Sequence, residues 1–323
     1  MRTGGTGALA CGLLASCALA QVAAPGATTG VERHTLQVDR WERVYYVYRP
    51  KGKPNGPYPV VLVLHGGGGQ ALGMRRVGFE PPADDRGFAV LYPEGHNRGW
   101  NDGRLGTRIE RRAEGVDDVA FFRALIDRLI ADKVADPARI YATGVSNGGF
   151  MSYRIGCDLA GRVAALAPVV ANMPADRMEL CRPARPIPVF IINGTKDSLV
   201  PWDGGAVAKN SNGGMVVSVD KTLELWRRLD GCEGAPAERL LPDKDPDDRT
   251  RTTEFVWSRC AAGVEVRLYR VEGGGHGWHG SPERLNRATT ALLGPISNDF
   301  SGAEEIWRFF SRYSLGSAPE PPF

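Results

Sequence analysis

Gly144-Val145-Ser146-Asn147-Gly148-Gly149 decides the fold. It follows directly on Arg139-Ile140-Tyr141-Ala142-Thr143, which reads as a buried strand, and it opens a helical stretch. A serine between glycines at such a junction sits on a sharp strand-to-helix turn, with its Oγ exposed above the sheet. The glycines are required because the chain reverses where a Cβ would clash. A plain glycine-rich turn is the competing reading, and the strand-turn-helix context outweighs it.

On the N-terminal side, His34 to Arg49 alternates apolar and polar residues and stops at Pro50 and the turn-rich Lys51 to Pro57, which predicts an antiparallel hairpin. Pro59-Val60-Val61-Leu62-Val63-Leu64 has no polar face, as expected of a strand covered on both sides. Phe88 to Tyr92, Val163 to Val170, Pro188 to Ile192 and Val264 to Val271 repeat that pattern. Between them lie helical periods: Val116 to about Lys133, the stretch after Ser146, Ser218 to Leu229 and Ala303 to Tyr313. Asp117 and Asp118 fall in the first turn of the clearest helix, where carboxylates cap free amides, and capping is the preferred reading of the pair. Strands alternating with helices imply an α/β fold: a mostly parallel central sheet with helices on both faces.

A serine hydroxyl is a weak nucleophile at neutral pH, so Ser146 predicts a general base and an orienting acid later in the chain. Of the five histidines, His34, His65 and His96 precede Ser146. His276 and His279 remain, in Gly273-Gly274-Gly275-His276-Gly277-Trp278-His279-Gly280, and His276 is favoured as nearer the strand end. For the acid, Asp197 follows the strand ending Ile191-Ile192-Asn193-Gly194, in the kind of loop where catalytic groups of open α/β sheets gather. Asp203 is the alternative, beyond Pro201-Trp202; an Asx turn is the non-catalytic reading of Asp197.

Attack on an acyl carbon puts negative charge on oxygen, which calls for an oxyanion hole. The Asn147 amide supplies one donor, and Gly67 or Gly68, in His65-Gly66-Gly67-Gly68-Gly69, the other. A phosphate loop is excluded for want of GKS/T or GxGxxG.

These motifs, with Trp100-Asn101, Val200-Pro201 and Gly204-Gly205, resemble those of the polyhydroxybutyrate depolymerase and feruloyl esterase family of the α/β-hydrolase superfamily, from about Tyr45 to Arg312. The resemblance implies hydrolysis of carboxylic esters, among them hydroxyalkanoate oligomers, feruloyl esters and acetylated xylan, without a cofactor. It places the triad on Ser146, Asp197 and His276. The chain departs from the family at Asn193, often His in relatives, and at His279, often Pro. The first is expected to alter packing beneath the Asp197 loop and the second to put a titratable group near the pocket. Acyl transfer through the same acyl-enzyme is the alternative. Peptidase action ranks lower because no large extra domain fits, and a non-catalytic binding role would require a broken triad. Trp100, Asn101, Trp202 and Trp278 are candidates for the substrate pocket, the three tryptophans as an aromatic wall with core packing as the competing role for each.

The formal charge of +3 comes from 40 Lys and Arg scattered among 37 Asp and Glu, which argues against a nucleic-acid partner. Residues 1–20 carry one Arg, an apolar run and Ala18-Leu19-Ala20, the pattern of a secretory signal. Leu14-Ala15-Ser16-Cys17 also resembles a bacterial lipobox, so membrane contact is expected only if Cys17 is lipidated. Either reading puts the protein outside the cytoplasm, secreted or periplasmic. Residues 21–30 read as a linker, 31–315 as a single catalytic domain and 316–323 as a frayed tail. Export favours pairing of Cys157, Cys181, Cys232 and Cys260. Four cysteines allow three connectivities, of which proximity favours 157 with 181 and 232 with 260. Their spacing gives no metal site, and the expectation of no appended polymer-binding module favours soluble or oligomeric esters over crystalline polymer.

Overall fold

The computed structural model describes residues 30–316 apart from 54, 114, 209–211 and 284. The signal and lipobox readings, most of the linker and nearly all of the tail lie outside the described residues. The apolar run Tyr58–Leu64 forms β3, buried at every position. Its side chains divide by the two-residue period of a strand: Val60, Leu62 and Leu64 enter one core, Val61 and Val63 the other. Each such burial contributes about 2 kcal/mol, so this strand holds both layers together.

The hairpin is β1 (Glu32–Val38) and β2 (Trp41–Tyr48), antiparallel from Glu32 opposite Val47 to Val38 opposite Trp41. Its two-residue turn puts Asp39 at φ 50°, a conformation that aspartate tolerates. The strands β4 (Ala89–Pro93), β5 (Ala135–Val145), β6 (Ala165–Val169) and β7 (Val189–Gly194) follow. A short ribbon, β8 (Gly205–Ala206) with β9 (Met215–Val216), stands apart. Then come β10 (Ala237–Leu240), β11 (Arg251–Trp257) and β12 (Val266–Glu272). The large sheet has the order β1-β2-β4-β3-β5-β6-β7-β12-β11-β10, with its β4-β3-β5-β6-β7-β12 centre parallel.

Two differences from the sequence reading concern strands. β5 begins at Ala135, which pairs with Tyr58 across a register shift, although Asp136-Pro137 looks like a turn. β10 and β11 extend the far edge antiparallel. They escape pattern reading because β10 is exposed throughout and β11 lacks regular alternation.

The helices are α1 (Glu80–Arg86), α2 (Arg108–Ala113), α3 (Asp118–Ala131), α4 (Asn147–Leu159), α5 (Val219–Leu229), α6 (Arg287–Leu293) and α7 (Gly302–Phe310). Apolar residues of α3, α4 and α5 pack in one core, and those of α1 and α7 in the other. Asp117 caps α3 through the amides of Val119 and Ala120, as expected. Asp118 does not share that role. It is fully buried, ion-paired with Arg43 at 2.7 Å, and accepts the Asn101 amide at 2.7 Å. Burial raises its pKa against the pull of Arg43. Because the central strands are parallel, β3, β5, β7 and β12 all end at one edge of the sheet, and each is followed there by a candidate site loop.

Candidate active site

Ser146 stands between β5 and α4 at φ 56°, ψ −118°. The close approach predicted for the glycines is present: a Cβ on Gly148 would lie 2.4 Å from the Leu64 carbonyl oxygen, and one on Gly144 2.6 Å from the Gly148 backbone. The turn is fixed from below by the Ser146 amide, which donates to Val169 at 3.0 Å.

Asp197 and His276 come together from the ends of β7 and β12. His276 Nδ1 lies 2.7 Å from Asp197 Oδ2, with both residues buried. The other carboxylate oxygen accepts the amides of Leu199 and Val200 at 2.8 and 2.7 Å. The Asx turn and the contact with histidine therefore coexist, one on each oxygen. The two loops are laced: Lys196 N donates to Gly274 O, Thr195 N to Val271 O and Gly273 N to Thr195 Oγ1. From behind, the Leu293 carbonyl accepts the His276 amide at 2.6 Å. Asp203 is exposed in a turn.

His279 lies outside the cleft. It is fully buried, its Nδ1 accepts the Ser297 amide at 3.1 Å, and burial pushes its pKa down to about 4. The Asp197 charge and the Gly275 carbonyl oppose that fall, while His276 adds to it. The ring packs under the glycine run, where a Cβ on Gly274 would come within 2.7 Å of its Cε1. His279 is thus a neutral buried group behind the site rather than a titrating one in it. At the other departure, Asn193 Oδ1 accepts the Ala171 amide while Nδ2 donates to Ala171 O and to Asn172 Oδ1. Asn172 in turn donates to the carbonyls of Pro201 and Val217. This amide chain supports the loop after Asp197.

The glycine loop after β3 is pinned by His65, whose Nδ1 donates to Gly66 O and whose Nε2 accepts the Gly95 amide. Burial lowers its pKa, in keeping with the neutral ring that this pairing needs. The Gly68 amide is spent on Arg98 O at 2.7 Å, which removes Gly68 as a donor. The Gly67 amide donates to no group among the described residues. As the first residue of α4, Asn147 has an amide with no helical partner. Gly67 and Asn147 are therefore the available pair. The Asn147 side chain closes a knot: Oδ1 accepts Trp100 N, and Nδ2 donates to Trp100 O and Asp102 Oδ2.

Ser146, His276, Asn147 and Gly66–68 line one cleft of ≈ 530 Å³, walled by Ile109, Phe150, Leu199, Val207 and Leu293 and reached by Arg104 and Arg108. None of the four pocket candidates is among its described lining residues. Trp100 is fully buried against Phe122 and His65 and donates from Nε1 to His65 O. Asn101 is held at Asp118 and Val116. Trp202 borders a separate hollow with Phe255 and Trp257, and Trp278 another beside Arg76, packed edge-on to Phe79. Of the residues that wall the cleft, Ile109 comes from 104–109, which shows no periodicity, Phe150 from α4, Leu199 and Val207 from the chain after Asp197, and Leu293 from the end of α6. Nearness in sequence to Asp197 was the one signal for Leu199, and Leu293, at the end of α6, had none. Cys157–Cys181 and Cys232–Cys260 are bonded, as proximity favoured, and the two bridges fit an oxidising compartment. Among the described residues no cluster of His, Cys, Asp or Glu is placed to hold a metal.

The fold is of the α/β-hydrolase class. The chain belongs to the family that includes the protein named "Putative esterase NocK" of Nocardia uniformis subsp. tsuyamanensis, to which it is 34% identical over 74% of this chain and 71% of that one. It is 32% identical to feruloyl esterase B of Piromyces equi over 55% of this chain and 31% of that enzyme. To feruloyl esterase D of Neurospora crassa it is 24% identical over 87% and 85%. No family model matches. Among solved structures, an acetyl xylan esterase from Aspergillus awamori superposes with TM-score 0.56 at 13% identity, covering 88% of this chain and 99% of that one, a likeness of fold alone. The resemblance drawn from the motifs is borne out on its feruloyl esterase side.

Proposed function

We propose that this protein hydrolyses carboxylic esters through an acyl-enzyme on Ser146. Ser146 Oγ attacks the ester carbonyl while His276 Nε2 takes its proton. The alkoxide of the tetrahedral intermediate is held by the amides of Asn147 and Gly67. Collapse expels the alcohol, to which His276 returns the proton; water then repeats the sequence and frees the acid. Asp197 holds the imidazole with Nδ1 protonated, leaving Nε2 free to act as base. The observation that carries the reading is the Asp197–His276 contact at 2.7 Å beside a serine on a strained turn in the same cleft.

The aliphatic walls, with Phe150 as the one phenyl, phenol or indole ring among the described lining residues, suit short hydroxyalkanoate, acetyl or feruloyl esters. Export, with a signal over residues 1–20 or a lipid on Cys17, and a catalytic unit over 31–315 belong to the same proposal, supported by the two disulfides. The test is Ser146→Ala, which should lower kcat about a thousandfold or more on p-nitrophenyl butyrate, together with fluorophosphonate labelling confined to Ser146. Turnover retained by a verified variant would end the assignment. Methyl ferulate, acetylated xylan and hydroxybutyrate oligomers then rank the substrates.

A further inference from the structure

Two arginines reach the cleft, and their charges are in different states. Arg104 is buried with its Nε and Nη2 on the Asp102 carboxylate at 3.0 and 2.7 Å, its Nη1 on Gly213 O, and its guanidinium 4.2 Å over the Phe150 ring. That cation is neutralised. Arg108 is exposed, and its guanidinium has no ion pair or hydrogen bond among the described residues; its backbone amide alone is engaged, with Asn212 O at 3.1 Å. No carboxylate lines the cleft among the described residues. Among the described residues the site therefore carries one uncompensated positive charge, that of the exposed Arg108.

Its position relative to the chemistry follows from Ile109, whose Cδ1 lies 3.3 Å from where a Cβ on Gly67 would be. Arg108 precedes it on α2 and lines the same cleft as Gly67. An ester carbonyl seated at Gly67 and Asn147 lies within reach of a long arginine side chain rooted there.

We propose that Arg108 is a specificity determinant, selecting esters that carry a free carboxylate a few bonds from the scissile carbonyl. The proposal rests on the esterase reading above. A guanidinium pairs with a carboxylate through two parallel hydrogen bonds, and a single cation against aliphatic walls suits a monoanion better than a phosphate dianion.

Two substrate pairs locate the charge: monoethyl adipate against ethyl heptanoate places it in the acyl half, and the hydroxybutyrate dimer as free acid against its methyl ester places it in the alcohol half. The readout is the ratio of kcat/KM within a pair, so a general change in activity cancels. At low salt the ratio in one pair should favour the anion about tenfold, shrink as salt screens an exposed charge, fall to near one in Arg108→Gln and recover partly in Arg108→Lys. A ratio at or below one in both pairs, or one unchanged by Arg108→Gln, overturns the proposal. Failure to hydrolyse p-nitrophenyl butyrate at all would instead overturn the esterase reading beneath it.

Discussion

Asp197 gives His276 one carboxylate oxygen and keeps the other for its own loop: Oδ2 is 2.7 Å from the imidazole Nδ1, while Oδ1 holds the amides of Leu199 and Val200. Asp197→Asn and Asp197→Ala should therefore part ways. Asparagine keeps an acceptor for the two amides, but its NH2 would face Nδ1 and force the proton onto Nε2, leaving no base for Ser146. If the proposed triad acts as such triads do, activity should fall about ten-thousandfold, with melting temperature nearly unchanged. Alanine loses both roles and should also cost about 2 kcal/mol or more for the stranded amides. Thermal melts beside kcat separate the two variants; if they melt together, the loop-holding oxygen carries no weight.

Ser146 adopts φ 56°, ψ −118°, which a side chain occupies at a cost. Ser146→Gly should therefore be more stable than Ser146→Ala by about 1 kcal/mol, with both variants inactive. Denaturant unfolding of the three proteins measures it. An alanine variant as stable as the glycine one would mean that the turn stores no strain.

The same physics explains what was legible in the sequence. Buried parallel strands announce themselves because both faces are apolar, as in Val60 to Leu64, and the serine turn because Gly144 and Gly148 admit no side chain. The choice of His276 over His279 and of Asp197 over Asp203 followed from strand ends. The pocket wall did not, because Trp100 looks the same in sequence whether it faces a cleft or Phe122. Gly67 and Gly68 were likewise indistinguishable until the Gly68 amide was found bonded to Arg98 O. Such facts depend on which loops meet, and that is set by contacts distant in the chain.

His279 predicts an acid-sensitive stability. Its pKa, pushed down to about 4 by burial, lies below the value of about 6.5 expected when unfolded. Below about pH 6.5 the unfolded chain takes up a proton that the folded chain refuses, so stability falls as pH drops toward about 4, by on the order of 3 kcal/mol for this group. Asp230, whose buried carboxyl is pushed up to about 8, acts with the opposite sign over this range. The readout is accordingly the difference between wild type and His279→Asn, which keeps an acceptor for Ser297 N. Urea titrations at several pH values should show the gap between the two proteins narrowing or reversing in favour of the variant on acidification. A constant gap would place the imidazole charge elsewhere.

The disulfides should differ in their response to reductant. Cys157 and Cys181 are 4% and 0% exposed, tying α4, which begins at the Ser146 turn, to the segment leading into β7 and Asp197. Cys232 and Cys260 are only partly buried, joining the end of α5 to the turn after β11. Thiol attack needs access to sulfur along the S–S axis, so a mild reductant should open Cys232–Cys260 in the folded protein and leave Cys157–Cys181 intact until unfolding. Each bridge closes a loop of similar length, with separations of 24 and 28 residues, worth about 3.5 kcal/mol in the chain-entropy model. Loss of the outer bridge should thus lower the melting temperature while leaving room-temperature turnover largely in place, since it touches no loop that bears Ser146, Asp197 or His276. Differential alkylation with peptide mapping, read beside esterase assays over the same time course, decides it. Release of Cys157 and Cys181 first, or loss of activity in step with the outer pair, would contradict this account of what each bridge holds.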